Sequence, residues 1–282
     1  MIKGITYWAF APEADGAPHN PVTAMREAKN LGYDVFELTV DPNGPISLAT
    51  TKSEAETIRR AAEEIGIGLK TLASGLAWRT SPTHPDPAIR AKAVEDYKAI
   101  LRIAAWLGVE TILYIPGMVS APFIPDFEPQ PYDVVHARAK EALAGLLPFA
   151  ENLNVKIGVE NVWNRYLLSP LEMRDFIDHF GSPFVGSYFD VGNVMLFGHP
   201  EHWVKILGRR IFAVHIKDFK VEIGNLSGFV DILTGDVNYL AVMRAFREIG
   251  YAGTFTAEVF ASPPRNMPSV AIQSLQKIEE TH

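Results

Sequence analysis

Transitions from helix to strand recur along the chain with one local pattern. A helix-like stretch ends in an apolar residue and glycine, and an apolar, strand-like stretch follows at once. The clearest cases are Leu31-Gly32-Tyr33, Ile65-Gly66-Ile67, Leu107-Gly108-Val109 and Ile249-Gly250-Tyr251. Glycine just past a helix end takes up the left-handed conformation of a C-terminal cap without steric cost. Asn154 and Gly181 can serve the same purpose.

These patterns predict eight strands and eight helices in strict alternation. Strands are predicted near residues 2–8, 33–39, 68–74, 109–115, 155–160, 184–190, 211–216 and 253–259. Helices are predicted near residues 21–31, 52–65, 86–107, 132–152, 169–179, 200–208, 237–249 and 268–280. Capping-box residues mark two helix starts, at Ser53 to Glu56 and at Ser169-Pro170-Leu171-Glu172, the second with proline at the first helical position.

Loops that follow the strands are longer than the turns that precede them. The long ones, rich in proline and glycine, lie near 10–20, 75–85, 116–131 and 217–236. Long loops after the strands are typical of a (β/α)8 barrel, whose functional face they build. An open doubly wound sheet would usually begin with a Gly-rich turn, which Trp8-Ala9-Phe10-Ala11-Pro12 is not. We therefore predict the α/β class, as a single (β/α)8 TIM barrel spanning residues 1–282 as one domain.

Composition narrows the classes of function. The 282 residues include no cysteine, which excludes disulfides, thiol catalysis and Cys-ligated zinc. A net charge of −7 without a run of Lys and Arg argues against a nucleic-acid partner. No apolar stretch approaches the ~20 residues of a membrane span, and the N-terminal apolar run is too short for a signal peptide. We expect a soluble, cytoplasmic protein.

Four consecutive predicted strands each end near an ionisable residue. Glu160, Asp190, His215 and Glu258 follow the apolar runs of strands five to eight. In a closed barrel these ends converge, and burying three unpaired carboxylates together would be costly. One divalent metal ion resolves the conflict, and a carboxylate-rich set with one histidine suits Mn²⁺, Mg²⁺ or Co²⁺ better than a thiolate-selective metal, with Zn²⁺ also an option.

Each of these residues also has a purely structural interpretation. Asp190 suits a turn or helix cap, His215 a hydrogen-bonded core position, and Glu160 or Glu258 an ordinary ion pair. Their joint occurrence on adjacent strands favours the metal site.

Further polar and aromatic residues near the strand ends are candidates for substrate binding. Lys217 follows His215 by two residues, so it lies on the same side of the strand and can reach an oxygen near the metal. The candidate set is Lys217, Asn193, Asn164, Arg165, Trp163, Glu37 and Trp8. The two tryptophans equally suit packing at the rim, and Glu37 and Arg165 equally suit a structural ion pair.

The chain resembles the xylose isomerase-like sugar and sugar-phosphate isomerases and epimerases, a family that includes D-tagatose 3-epimerase and L-ribulose-5-phosphate 3-epimerase. The resemblance rests on the eight strand–helix units and on four short motifs that contain the strand-end residues. Glu160 lies in Gly-Val-Glu-Asn, Asp190 in Phe-Asp-Val-Gly-Asn, His215 in Val-His-Ile-Lys-Asp and Glu258 in Thr-Ala-Glu-Val. It implies that Glu160, Asp190, His215 and Glu258 bind one divalent metal, commonly Mn²⁺. It also implies that Glu160 and Glu258 exchange the substrate proton.

The chain departs from the tagatose epimerase pattern at two positions. Asn193 stands where those members carry histidine, and Lys217 and Lys220 are the nearest cations to the position of their substrate-binding arginine. The sugar and the position of the reaction are therefore not transferred from the resemblance.

The predicted function is a divalent-metal-dependent sugar or sugar-phosphate isomerase or epimerase. The reaction would pass through a metal-bound cis-enediolate, with Glu160 and Glu258 as acid and base and Lys217 stabilising the oxyanion. The alternatives are a metal-dependent lyase of the inosose dehydratase type and a non-catalytic sugar-binding barrel. A phosphodiesterase resembling apurinic endonucleases is disfavoured, because Ala73-Ser74-Gly75 and Tyr114-Ile115-Pro116 lack the histidines of a multi-zinc cluster.

The sequence leaves open whether the sugar is phosphorylated. Gly224, Gly228 and Gly235 in the 217–236 loop could offer backbone amides to a phosphate, or could simply be turn residues. The expected partner is a small-molecule sugar or sugar phosphate, and the composition is compatible with a homodimer.

Overall fold

The computed structural model describes residues 1–262 and 265–280. Eight parallel strands close into a barrel in which each strand pairs with the next and the last pairs with the first. The closure pairs Ile2 with Thr254 and Ile5 with Ala257. The strands are β1 (Ile2–Thr6), β2 (Val35–Val40), β3 (Thr71–Ser74), β4 (Thr111–Tyr114), β5 (Lys156–Glu160), β6 (Val185–Asp190), β7 (Ile211–Ile216) and β8 (Thr254–Ala257). The predicted fold class is confirmed.

One helix follows each barrel strand along the chain. The helices are α1 (Pro21–Leu31), α2 (Lys52–Ile65), α3 (Pro87–Leu107), α4 (Tyr132–Leu153), α5 (Pro170–Asp178), α6 (Pro200–Leu207), α7 (Tyr239–Glu248) and α8 (Met267–Glu280). Gly32, Gly66 and Gly108 have the left-handed backbone predicted for them, and so does Asn154, with φ of 55°. The caps end each helix where the next strand must begin, which keeps the turns before the strands short.

Helix α2 begins with a capping box at a different place from the one predicted. Thr51 accepts a hydrogen bond from the Glu54 amide, and the Glu54 carboxylate accepts one from the Thr51 amide. The prediction of Ser53 and Glu56 is therefore wrong, because Ser53 already lies within the helix. At α5, Ser169 accepts from the Glu172 amide as predicted, but the Glu172 carboxylate accepts from the Leu168 amide rather than from Ser169.

Several strands are shorter than predicted. β1 ends at Thr6, and Tyr7–Ala9 forms a 3₁₀ turn that contains Trp8. β3 begins at Thr71 and β8 at Thr254, three residues and one residue after the predicted starts. The apolar runs continue beyond the paired segments because residues on either side of a strand also pack in the core. Tyr33, for example, precedes β2, is buried, and donates its hydroxyl hydrogen to the Pro268 carbonyl.

A small antiparallel ribbon lies in the loop after β7. Asp218–Phe219 pairs with Phe229–Val230. Strands of two residues have no recognisable hydrophobic period, so the sequence pattern gave no prediction of the ribbon. It covers the end of the barrel at which β5 to β8 present their last residues.

The core lies inside the barrel and between the strands and the helices. Side chains without exposed surface include Ile5, Phe36, Leu72 and Ile157 from the strands and Leu101 from α3. Within residues 1–262 and 265–280, no helix combines the length and the apolar composition needed to span a membrane. The predicted location and the homodimer stay predictions.

Candidate metal centre and active site

The four predicted metal ligands meet at one end of the barrel. Glu160 and Asp190 are the last residues of β5 and β6, His215 is the penultimate residue of β7, and Glu258 follows β8 directly. The β6–β7 register places Asp190 beside His215. One ligand atom from each of the four lies within 4.8 Å of those of the other three, and all four residues are buried.

The geometry of this cluster fits a metal ion. His215 Nδ1 lies 2.8 Å from Glu258 Oε2, 3.8 Å from Glu160 Oε1 and 4.0 Å from Asp190 Oδ2. His215 Nδ1, Asp190 Oδ2 and Glu258 Oε2 are buried and form no hydrogen bond of regular geometry, although the Lys217 ammonium lies within 3.3 Å of both carboxylate oxygens. Buried polar atoms are normally hydrogen-bonded, so three such atoms that face one another fit the ligands of a shared cation. Three carboxylates and one imidazole suit a hard or borderline divalent cation.

Burial and neighbouring charges separate the proton affinities of the carboxyl groups. Burial raises the pKa of Glu160 to about 7 and that of Asp190 to about 6. Burial would also raise the pKa of Glu258, but the positive charges of Lys217 and His215 outweigh it and the pKa is lowered. These pKa shifts belong to the metal-free cluster, in which the carboxyl groups share the positive charges of Lys217 and His215.

Glu37 lies beneath His215 in the barrel interior. Its Oε1 is 2.8 Å from His215 Nε2, and its Oε2 accepts a hydrogen bond from the Tyr188 hydroxyl. Glu37 is fully buried, and the cavity described below does not include it in its wall. A carboxylate accepting from Nε2–H leaves the Nδ1 lone pair directed at the ligand cluster. The structure therefore places Glu37 behind His215, a predicted metal ligand, and outside the cavity wall, whereas the sequence predicted a substrate contact.

Lys217 stands beside the carboxylates, where its spacing from His215 predicted it. Its Nζ lies 2.8 Å from Glu258 Oε2 and 3.3 Å from Asp190 Oδ2. Burial would lower the pKa of Lys217, but these carboxylates raise it by more, so the amine stays charged. A side chain at Gly192 would place its Cβ 2.6 Å from the Cβ of Lys217, so the loop after β6 can approach Lys217 only because residue 192 is glycine.

Two asparagines fix the end of β6. The Asn161 side chain donates to the Asp190 carbonyl at 2.7 Å and accepts from the Asp190 amide at 2.9 Å. The Asn193 amide donates to Asp190 Oδ1 at 2.8 Å, which leaves Oδ2 directed at the cluster. Asn193 Nδ2 donates to the Asn161 carbonyl. Asn161 follows Glu160 in the sequence, but only the structure reveals that it anchors Asp190.

A cavity of about 720 Å³ opens above the ligand cluster. Six predicted residues lie in its wall, namely Trp8, Glu160, Trp163, Asn193, Lys217 and Glu258. Seven more aromatic or charged residues in the same wall were not predicted, namely Trp78, Phe123, Asp218, Phe229, Asp231, Phe260 and Arg265. All seven belong to the segments that follow strands, and that position was the available signal.

Asn164 and Arg165 lie away from this cavity. Asn164 is fully buried, and its amide group donates to the Gly117 carbonyl and accepts from the Tyr166 amide. Its side chain thus holds the loop after β5 together. Arg165 is exposed, with φ of 55°, and lines a second cavity of about 810 Å³. The two cavities share Val162, Trp163, Asn193 and Leu226.

Known proteins share this fold and parts of this sequence. "Putative L-ribulose-5-phosphate 3-epimerase SgbU" of Escherichia coli strain K12 is 26% identical over 258 residues, which cover 89% of this chain and 88% of that protein. The structure of a D-psicose 3-epimerase, determined in the presence of D-fructose, superposes with a TM-score of 0.82 at 19% identity, covering 100% of this chain and 99% of the other. That of an L-ribulose 3-epimerase gives 0.79 at 19% identity, covering 99% and 93%.

The sequence also matches a family model. The model describes a xylose isomerase-like TIM barrel, and the match covers residues 25–281, from α1 onward. It agrees with the closed eight-stranded barrel. The chain belongs to the xylose isomerase-like TIM-barrel family.

Proposed function

We propose that the protein is a divalent-metal-dependent ketose 3-epimerase, with Mn²⁺ as the working metal. The observation that carries the proposal is the position of Glu160 and Glu258. Both carboxylates line the cavity, and they come from β5 and β8, which β6 and β7 separate in the barrel wall. A sugar seated between them would present one face of its reacting carbon to each carboxylate.

The residues divide the proposed reaction between them. Glu160, Asp190, His215 and Glu258 would hold the metal. Such an ion, when bound, acts as a Lewis acid and makes a C–H beside a ketose carbonyl more acidic. One of the two glutamates removes the C3 proton, and the other returns a proton to the opposite face of the enediolate. The C–H bond that breaks and the C–H bond that forms are thus at one carbon, and the product is the C3 epimer.

Lys217 and the aromatic wall assist this exchange. The Lys217 ammonium lies within 3.3 Å of Glu258 and Asp190, so it would stabilise negative charge on the substrate oxygen as the proton leaves. Trp8 and Trp163 would pack against the sugar and exclude water from the reacting carbon.

Names of related proteins agree with this chemistry. The Escherichia coli relative and the two structural neighbours described above are named as 3-epimerases of ketoses or ketose phosphates. The pattern of the site and these names support an epimerase over the lyase and the binding-protein alternatives.

Product analysis tests the proposal. Protein freed of metal and reloaded with Mn²⁺ is incubated with a panel of ketoses and ketose phosphates, and the products are identified by NMR. We expect C3 epimers, with turnover lost in Glu160→Gln and Glu258→Gln and kept in Glu141→Gln, a matched change of an exposed glutamate on α4.

Other products would contradict the proposal in distinct ways. An aldose would show proton transfer between adjacent carbons, and a dehydrated product would show a lyase. No product with a loaded metal site would favour a binding protein.

A further inference from the structure

Every positively charged side chain that lines the cavity above the cluster, within residues 1–262 and 265–280, already has a carboxylate partner. These side chains are Lys217 and Arg265. Lys217 contacts Glu258 and Asp190 at 2.8 and 3.3 Å. Arg265 forms an ion pair with Asp231, which itself lines the cavity. A phosphate entering this space would compete with a carboxylate for either cation.

Several backbone amides in the loops after β7 and β8 are committed as well. Phosphate sites in (β/α)8 barrels are commonly built from the loops after strands seven and eight. In the loop after β7, the amides of Leu233, Gly235 and Val237 donate to the carboxylate of Asp218, at 2.8, 3.1 and 3.2 Å. Asp218 is 1% exposed. The chain's own carboxylate thus occupies the group of amides that could have received a phosphate.

The Gly228 amide is also used within the loop, where it donates to the Asn225 carbonyl. Gly224 lines the second cavity rather than the one above the cluster. Of the two interpretations of Gly228 and Gly235, the structure favours turn residues, because both amides are used within the loop. After β8, the Ala261 amide donates to the Trp8 carbonyl and the Arg265 amide to the Ser262 carbonyl.

Aromatic rings form much of the remaining wall. Trp8 stacks on Phe260 with ring centroids 5.8 Å apart, and Trp78 meets Phe123 edge-on at 4.7 Å. Aromatic faces pack well against the C–H groups of a neutral sugar. The same faces carry partial negative charge and offer no hydrogen-bond donor to a phosphate.

From these three observations we infer that the substrate is an uncharged ketose rather than a ketose phosphate. The inference rests on the proposed function, since it names the substrate class for the same site. It assigns the aromatic wall to the end of the sugar far from the metal, where a phosphate ester would otherwise lie.

Matched pairs of substrates test the inference. The Mn²⁺-loaded protein is assayed with free ketopentoses and ketohexoses and with the terminal phosphate ester of each. We expect kcat/KM to be at least about 100-fold higher for the free sugar than for its phosphate ester, because the protein would bind the transition state of the free sugar about 100-fold more tightly. Asp231→Asn should release Arg265 and raise kcat/KM for the ester relative to that for the free sugar. The double variant Asp231→Asn with Arg265→Gln should not.

The outcomes separate this inference from the proposed function. Preference for the phosphate ester would overturn the inference and leave the epimerase proposal standing. If neither sugar is turned over, the epimerase proposal fails, and calorimetric binding to the metal-loaded protein decides the substrate class. Tighter binding of the free ketose would then support the inference, whereas tighter binding of the ester, or binding of neither, would overturn it.

Discussion

Glu37 is expected to control the metal affinity of the site without touching the metal. It is fully buried in β2 and accepts hydrogen bonds from His215 Nε2 and from the Tyr188 hydroxyl. In Glu37→Gln the shape is kept, but the amide has one oxygen to accept with and an NH₂ group in place of the other oxygen. The glutamine oxygen can still accept from His215 Nε2–H, and the Tyr188 hydroxyl can turn to accept from the NH₂ group, but the negative charge behind His215 is lost and its hydrogen bond is no longer charge-assisted.

The size of the effect follows from this contact. A hydrogen bond to a charged group contributes about 1.5 to 3 kcal/mol. Loss of a partner behind a metal-binding histidine typically weakens metal affinity about 10- to 100-fold. These two magnitudes agree, since 1.4 kcal/mol is about a factor of ten. We therefore expect Glu37→Gln to bind Mn²⁺ about 10- to 100-fold more weakly than the natural chain.

Metal affinity is measured by competition with a chelator on protein whose fold is checked by circular dichroism. Tyr188→Phe is the matched control, because it removes the other hydrogen bond to Glu37 and keeps the one to His215. It should lose less affinity than Glu37→Gln. A folded Glu37→Gln protein that binds Mn²⁺ as tightly as the natural chain would refute the assignment of Glu37 as the positioning partner of His215.

Three further changes have defined outcomes. The chelator-treated protein is first loaded with Mn²⁺ at a concentration 100 times the dissociation constant of the Mn²⁺ complex. Binding should stabilise the fold by about 2.7 kcal/mol and raise the Tm by about 5 °C or more in a thermal scan. An unchanged Tm would contradict the metal site. Asp218→Asn removes the charge that four backbone amides share. The substitution should lower the free energy of unfolding by about 2 kcal/mol in a urea titration and make the 217–236 loop more sensitive to proteolysis. If the variant and the natural chain are equally stable and equally cleaved, the Asp218 carboxylate does not hold the loop. In steady-state kinetics, Lys217→Met should lower kcat by about 100-fold with a smaller change in KM. A raised KM with unchanged kcat would instead assign Lys217 to binding of the substrate in its ground state.

The fold follows from local signals that the sequence displays. Glycines past the helix ends and the alternation of helix and strand patterns locate nearly every element, because a cap and an amphipathic period are properties of neighbouring residues. The convergence of Glu160, Asp190, His215 and Glu258 was also predictable, since parallel strands in a barrel present their carboxyl ends at one face. The ribbon of Asp218–Phe219 and Phe229–Val230, by contrast, has no local signal.

Contacts across the barrel could not be predicted in the same way. Glu37 and His215 are 178 residues apart, and they meet because β2 and β7 both point these side chains into the barrel interior. Asn164 and Arg165 lie next to Trp163 in the sequence, but an irregular loop gives no period by which to assign their directions. One therefore faces the backbone of Gly117 and the other faces a second cavity.

The most direct test of the two-glutamate chemistry follows each glutamate separately. The Mn²⁺-loaded single variants Glu160→Gln and Glu258→Gln are incubated in D₂O with each C3 epimer of the preferred ketose, and deuterium at C3 is read by NMR. We expect each variant to exchange the C3 proton of one epimer only. The epimer that Glu160→Gln exchanges should differ from the one that Glu258→Gln exchanges, and neither variant should convert one epimer into the other. Exchange of both epimers by either variant, or continued epimerisation, would contradict the assignment of Glu160 and Glu258 to opposite faces of the substrate.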